Sequence, residues 1–478
     1  MSFSPIYSGR VLDPSYRNWR KRYQADSMRV HKAHLVMLAE QKLIPQESAT
    51  EIKRGIAQLE KQFEPPQHIP NGVEDLYFLF ERELGRLIGE DHAGYLHTAR
   101  SRNDMDTTVF RLSLKGALLD FLDAVARCGE ALLEKSRAAQ SEPIVLYTHG
   151  QPANVSTLAH YLTAFLLELE EDAKRLAEAI ELVDRSTMGA CAITTTSFAL
   201  DPQRVSSLLG LAKPVANSYQ AISTSHWLTY PASACSALMV DITRFAADLG
   251  HKASSEVGIL TFPDELVQVS SIMPQKRNPV IIEHIRIQAG LSNGIFAGIE
   301  QLFANVPFQD VNEVADAPVE QLYDGLALAA SSLELLGDAV RGMGVDGERV
   351  RQIAVDFGTT TTELADTLVR EAGISFREAH GVTQAFVRSG YRKDALREAF
   401  AKLRGKPLDY SDSQIDQLLT PDHFIAVRKV AGGPAPDGMQ SVFEEVLVRA
   451  QAVNAFVAEA RARRSAADRS LGDAFAQL

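Results

Sequence analysis

The sequence predicts an all-α fold centred on a bundle of long helices. Three observations carry that expectation. Between Thr107 and Val340, five stretches repeat apolar residues at helical spacing with few breakers. No pair of alternating runs reads as a convincing strand pair, and no Gly-rich phosphate loop or internal repeat is found. The 478 residues are 45% hydrophobic and 23% charged, an ordinary globular composition, and this length calls for roughly two to four structural units.

The opening residues, 1–106, read as short helices with breaks. Ser27 to Gln41 sets Val30, His34, Met37 and Leu38 at helical spacing. Pro65, Pro66 and Pro70 with Asn71-Gly72 then force a loop. Asp75 to Ile88 predicts a second helix, ended by Gly89 to Gly94, and His97 to Asp104 follows as a polar, doubly basic stretch. From Thr107 the patterns lengthen: Leu114 to Leu133, Leu158 to Val183, Ala234 to Leu249, Ile285 to Leu302 and Leu322 to Val340. In the second of these, Leu158, Leu162, Phe165, Leu169, Leu176, Ile180 and Val183 form a seam. Glu168, Glu170, Glu171, Asp172, Lys174 and Arg175 occupy its other face, which reads as solvated. Seams of this length pair with other chains, so a homo-oligomer is expected.

After Gly358 the pattern shortens. Thr360 to Ala372 and Phe376 to Ser389 predict two short helices followed by polar linkers. Gly432-Gly433-Pro434 with Pro436 breaks the chain before a last helix, Met439 to Ala467. The expected units are therefore 1–106, 107–358 and 359–478.

Charge and cysteine usage narrow the class. A net charge of -12 argues against a nucleic-acid surface, yet a few local Arg and Lys residues can still hold an anionic small molecule. Cys128, Cys191 and Cys235 lie far apart, without disulfide or metal-ligand spacing, as expected of a cytoplasmic protein with small buried thiols. Met1 to Arg10 has no apolar run, so no signal peptide is expected, and no apolar stretch reaches spanning length, so no membrane partner is expected either.

Three separated stretches carry reactive groups. Ser270-Ser271-Ile272-Met273-Pro274-Gln275-Lys276-Arg277-Asn278-Pro279 reads as a loop, because its prolines fix φ and remove donors. A serine there could take a proton, while a lysine and an amide could hold the charge left behind. His97-Thr98-Ala99-Arg100-Ser101-Arg102-Asn103-Asp104 offers Arg102 and Asn103 as a carboxylate clamp, since a guanidinium is a planar fork of donors. Tyr147-Thr148-His149-Gly150-Gln151-Pro152-Ala153 supplies a histidine suited to proton transfer near neutral pH.

The order S-S-x-M-P-x-K-x-N-P resembles the signature loop of the fumarase/aspartase superfamily. His97 to Asp104 is similar to the H-T-G-R-S-R-N-D-Q stretch of its argininosuccinate lyase branch, with Ala99 for the usual Gly and Met105 for the usual Gln. Thr148-His149-Gly150-Gln151-Pro152-Ala153 resembles the T-H-x-Q-x-A motif. Gly189 to Asp201, Phe376-Arg377-Glu378-Ala379-His380, and Ala426-Val427-Arg428 with Gly432-Gly433 extend the likeness over most of the chain. The resemblance implies a three-domain, all-α homotetramer with a twenty-helix core and active sites drawn from three subunits. It implies β-elimination of fumarate from an N-substituted aspartate, with no cofactor or metal. Ser270 would be the base and His149 would serve proton transfer. Ser101, Arg102, Asn103, Thr148, Ser271, Lys276 and Asn278 would bind substrate, supported by His97, Gln151 and Glu283. His160 falls where the family often has a histidine, but it lies on the long-helix pattern and reads as packing.

The chemistry explains these residue types. The proton to be removed lies next to a carboxylate and is very weakly acidic, so donors must stabilise a dianionic aci-carboxylate. The departing nitrogen needs a proton. Departures from the family pattern cluster on the amine side. N-S-x-D-A-x-S-x-R-D stands here as Asn217 to His226, with Gln220 for the acid and Ser225-His226 for Arg-Asp. P-L-A-Y-N-K-D-x-Q-E-D-K stands as Pro307 to Asp316, without the tyrosine, lysine and glutamine and with Asp310 among the altered residues. Val269 replaces the Gly before the serine pair. Three functions follow: cleavage of argininosuccinate, cleavage of another N-substituted aspartate such as an aminopolycarboxylic acid, or a non-catalytic crystallin-like relative.

Overall fold

The computed structural model describes residues 3–315 and 319–478; Met1 and Asp316 fall outside them. Five long helices form the centre: α1 (Arg102–Ala138), α2 (Leu158–Val183), α3 (His226–Lys252), α4 (Val280–Phe303) and α5 (Val319–Gly342). α2 spans the predicted Leu158 to Val183, whereas the other four extend beyond their apolar patterns. The pattern marks only the residues that pack, whereas backbone hydrogen bonding extends until a cap or a proline stops it. α1 begins at Arg102, where Ser101 and Asp104 form a capping box, so the change of character at Thr107 lies within its second turn.

Contacts fix which end is which. Phe110 near the start of α1 stacks on Trp227 near the start of α3, and Tyr23 bonds Glu320 at the start of α5. At the other end, Lys135 donates to Met343 O, Gly250 lies against Ile282, and Tyr147 meets His251 edge-on. α1, α3 and α5 therefore run one way, and α2 and α4 run back.

The main apolar core runs from Tyr16 through the bundle to Phe475. It includes the helices Gln24–Glu40 and Leu76–Ile88, near the predicted places, and Gln46–Gln62, for which no helix is predicted from the sequence. A second core, from Leu364 to Ile415, holds helices Thr361–Ala372 and Phe376–Arg388. The polar linkers expected beyond them fold instead as helices Lys393–Arg404, Asp412–Leu418 and Pro421–Ala426. Leu396, Phe400 and Ile415 give these elements just enough apolar surface to dock. The last helix, α6 (Pro436–Gln477), is far longer than Met439 to Ala467 and returns to the main core through Val446, Val453, Val457 and Ala460.

Two further sequence expectations fail. The absence of strand pairs is contradicted by a hairpin of β1 (Pro143–Thr148) and β2 (Gln151–Thr157). The solvated face of α2 is also wrong in part: Glu170 and Asp172 are buried. Burial pushes both carboxyls up to about 7. Neighbouring elements cover this face, and a single helix's periodicity cannot report that. Among the described residues, no helix is long and apolar enough to cross a membrane.

Candidate functional site

The first reactive stretch is held by backbone capping. Ser101 Oγ accepts the Asn103 N–H at 3.3 Å, while Asp104 accepts the Ser101 N–H at 2.9 Å. Arg102 and Asn103 thus stand on the first turn of α1. Asn103 Nδ2 donates to Asp310 Oδ2 at 2.7 Å and to Ala192 O at 3.4 Å. Arg102 Nη1 donates to Asp75 at 2.6 Å and Glu74 at 3.1 Å, and its guanidinium lies over Phe78. Arg102, Asn103, Asp75, Asp106 and Asp310 line a cleft of about 210 Å³. His97 is exposed and bonds Tyr77 and Glu81. Burial raises the Glu81 carboxyl, but these bonds outweigh it and leave the group below its ordinary value.

Sequence reasoning missed the supports of this turn. Asp104 is fully buried and also accepts the Gly189 and Cys191 N–H groups, at 3.1 and 2.8 Å, which ties a distant loop to α1. Burial pushes its carboxyl up to about 6 against those donors. The Ser-x-x-Asp spacing was a usable signal. Arg100 is buried against the His31 ring nitrogen at 3.0 Å and Tyr77 OH at 3.4 Å. Ala99, in place of the family's Gly, adopts φ +55°.

The second stretch is the tip of the β1–β2 hairpin. Thr148 pairs with Gln151, leaving His149 and Gly150 as a two-residue turn with φ of 54° and 74°. Two positive φ values define the type I′ turn that matches strand twist, and histidine tolerates this region better than most residues. The His-Gly pair between apolar runs was the overlooked signal. Thr148, His149 and Gln151 are exposed. Below the tip, Val155 packs with Ala354 and Phe424. His160 does more than pack: its ring nitrogens bond Ser156 Oγ at 2.8 Å and Gly432 O at 3.0 Å.

The third stretch is a loop, as expected, closed by the short strands β3 (Gln268–Val269) and β4 (Arg277–Asn278). Ser270 N–H donates to Lys276 O at 3.2 Å. The N–H groups of Met273 and Ile272 donate to Ser270 Oγ at 3.0 and 3.4 Å. Donors on a hydroxyl oxygen favour its deprotonated form. Ser271 and Lys276 are exposed, Asn278 is half-buried, and Glu283 stands exposed on the first turn of α4. Val269 is 59% exposed.

One chain brings the second and third stretches to the same end of the bundle and leaves the first at the other. α1 has 37 residues, hence a length of about 55 Å, separating Asn103 from the hairpin that follows Ala138. Among the described residues, no hydrogen bond or ion pair joins the three stretches. Of the altered amine-side residues, Asp310 touches Asn103. Tyr219 OH donates to Phe308 O at 2.8 Å and the two rings meet at 5.8 Å. Gln220 donates its backbone N–H to the Asn217 cap, Ser225 precedes α3, and His226 lies against Tyr230.

Comparison with known proteins gives consistent matches. Residues 14–292 match the family described as Lyase, and residues 358–426 match Argininosuccinate lyase C-terminal. The chain is 39% identical to argininosuccinate lyase 2 of Agrobacterium fabrum, covering 92% of this chain and 89% of that one. It is 30% identical to the argininosuccinate lyase of Methanocaldococcus jannaschii, with 87% of each covered. The structure of EDDS lyase in complex with formate superposes with a TM-score of 0.85 at 27% identity, covering all of this chain and 96% of that chain. A fumarate lyase:delta crystallin from Brucella melitensis shares the fold, with a TM-score of 0.69 at 19% identity over 86% of this chain and 91% of that one.

Proposed function

Since this chain belongs to the argininosuccinate lyase branch of the fumarase/aspartase superfamily, we propose that it cleaves argininosuccinate to arginine and fumarate. It is a carbon–nitrogen lyase, and its substrates carry a C4 dicarboxylate skeleton. The observation that carries the mechanism is Ser270 Oγ, which receives two backbone N–H groups inside a loop presenting Lys276. Those donors lower the cost of a serine alkoxide, which takes the proton beside the substrate carboxylate. Lys276 and Asn278, with Ser271, meet the aci-carboxylate charge. His149 serves the proton transfer that releases the amine, with Thr148 and Gln151 beside it and Glu283 supporting it. Arg102, Asn103 and Ser101 hold the substrate's other end, with His97 behind them.

The site is completed by other copies of the chain. About 55 Å of α1 lies between Asn103 and the hairpin. Ile287 and Leu291, one turn apart on α4, are 52% and 58% exposed, as expected of a face that meets another helix. This supports a homotetramer with shared sites. The free thiols fit a reducing cytoplasm, and a biosynthetic role in making arginine fits the family. The division 1–106, 107–358 and 359–478 is supported by the separate core at Leu364 to Ile415, although α6 packs back on the bundle. The second substrate reading, an aminopolycarboxylic acid, is favoured only by the likeness to EDDS lyase together with the altered amine-side residues.

Fumarate release, followed by ultraviolet absorbance, tests the proposal. Argininosuccinate is expected to yield fumarate, and Ser270→Ala and His149→Asn are each expected to lose at least roughly a hundredfold in kcat while the oligomer stays assembled. Near-normal turnover in either variant would remove that residue from the mechanism.

A further inference from the structure

On β1, the last side chain packed on the bundle before the hairpin tip is Tyr147. Leu146 pairs with Asn154 but Tyr147 pairs with Pro152, so Ala153 is the extra residue of a β-bulge. A bulge re-aims the side chains beside it. Past it, Thr148, His149 and Gln151 are exposed, and among the described residues their side chains make no hydrogen bond or ion pair. Tyr147, by contrast, is half-buried against the end of α3, where its ring meets His251 edge-on at 5.3 Å.

A buried charge lies against the same ring. Lys252, the last residue of α3, is only 2% exposed. Its Nζ sits 5.2 Å from the Tyr147 ring centroid and 4.9 Å from that of Tyr161 on α2. It donates to Asp248 Oδ2 at 2.9 Å, and the same oxygen accepts the Tyr161 hydroxyl at 2.6 Å. The backbone is fixed as well, since Lys252 O accepts the Ile259 N–H at 2.9 Å. Burying an ammonium is costly unless its partners replace water. One carboxylate and two ring faces do so here, and attraction to a ring face strengthens where water is excluded. Packing alone would be served by an apolar residue at lower cost. What the charge adds is direction: it holds the Tyr147 ring face in one place, and the bulge passes that placement to the turn.

Resting on the reading of His149 as the proton-transfer group, we propose that Lys252 is a positioning residue for His149, acting through the Tyr147 ring and the bulge beside it.

The test is a double-mutant cycle in the assembled oligomer, read as fumarate release from argininosuccinate or, should that be inert, from N-(carboxymethyl)aspartate. Lys252→Met keeps the bulk of the side chain and removes its charge. It is expected to lower kcat about tenfold or more, with KM changed less than about threefold and the thermal midpoint little moved. In the His149→Asn background the same change is expected to cost less than about threefold, because the group it positions is already gone. Tyr147→Leu, which removes the ring, is expected to repeat this pattern, and Tyr147→Phe, which keeps the ring face, to retain most of the rate. An equal loss in both backgrounds would reduce Lys252 to general packing and overturn the inference, as would an unchanged kcat in Lys252→Met. If Lys252→Met does not assemble, Tyr147→Leu carries the cycle with the same two outcomes. Fumarate from neither substrate in the wild type, or near-normal turnover in His149→Asn alone, would instead bring down the lyase mechanism itself, and this inference with it.

Discussion

At the scale of single residues, Ala99 carries a visible cost. Ala99 sits at φ +55°, where its Cβ crowds the backbone and where the family's usual residue is glycine. It immediately precedes the buried Arg100 and the Ser101 cap, which hold the turn in place regardless. Ala99→Gly is therefore expected to stabilise the protein by roughly 0.5–1 kcal/mol, because relief of the left-handed strain outweighs the added freedom of the unfolded chain. Urea unfolding measures this, and a lower midpoint in the variant would show that the strain is absorbed elsewhere. Residue identities such as Ser270, His149, Lys276 and Asn103 were legible as candidates because their order within short motifs is specific. Asp104 and Arg100 were not singled out. Their importance comes from burial and from partners up to 87 residues away.

At the scale of elements, the helices were legible because burying one face imposes a period that can be counted. The β1–β2 hairpin was not, since two strands stapled to a helical body need little alternation of their own. Its tip depends on a tight turn, and Gly150 at φ 74° is a position where a Cβ is strained. Gly150→Ala is expected to cost roughly 1 kcal/mol locally and to lower kcat at least several-fold by displacing His149. Steady-state turnover alongside thermal unfolding checks this; a variant with unchanged kcat would detach the turn geometry from the chemistry. The carboxylates of α2 teach a related lesson. Glu170 and Asp172 looked solvated from one helix alone, and the helices packed against α2 bury them.

At the scale of the whole molecule, the distribution of motifs along the bundle governs function. The first stretch and the other two lie at opposite ends of α1, so in the proposed mechanism one chain supplies groups to two different sites. Shared sites require other copies, packed antiparallel, to bring unlike ends together. Ser270→Ala and Asn103→Ala homo-oligomers are each expected to be nearly inactive. Mixing them under conditions that allow subunit exchange is expected to restore a measurable fraction of activity, because some sites then draw every group from unmutated chains. Mixed oligomers, verified by mass, that remain as inactive as the parents would contradict shared sites.

The sequence by itself determined the helical class, the five long helices, the family and the identity of the groups available for chemistry. Each of these is written in local order or local period. Only the tertiary structure decided that Arg102 pairs with Asp75 and Glu74, that Ser270 Oγ collects two backbone donors, and that Asp310 faces Asn103. It also placed the two departing stretches side by side. Such facts depend on which distant segments meet and on which groups lose water when they do, and no single stretch of chain encodes either.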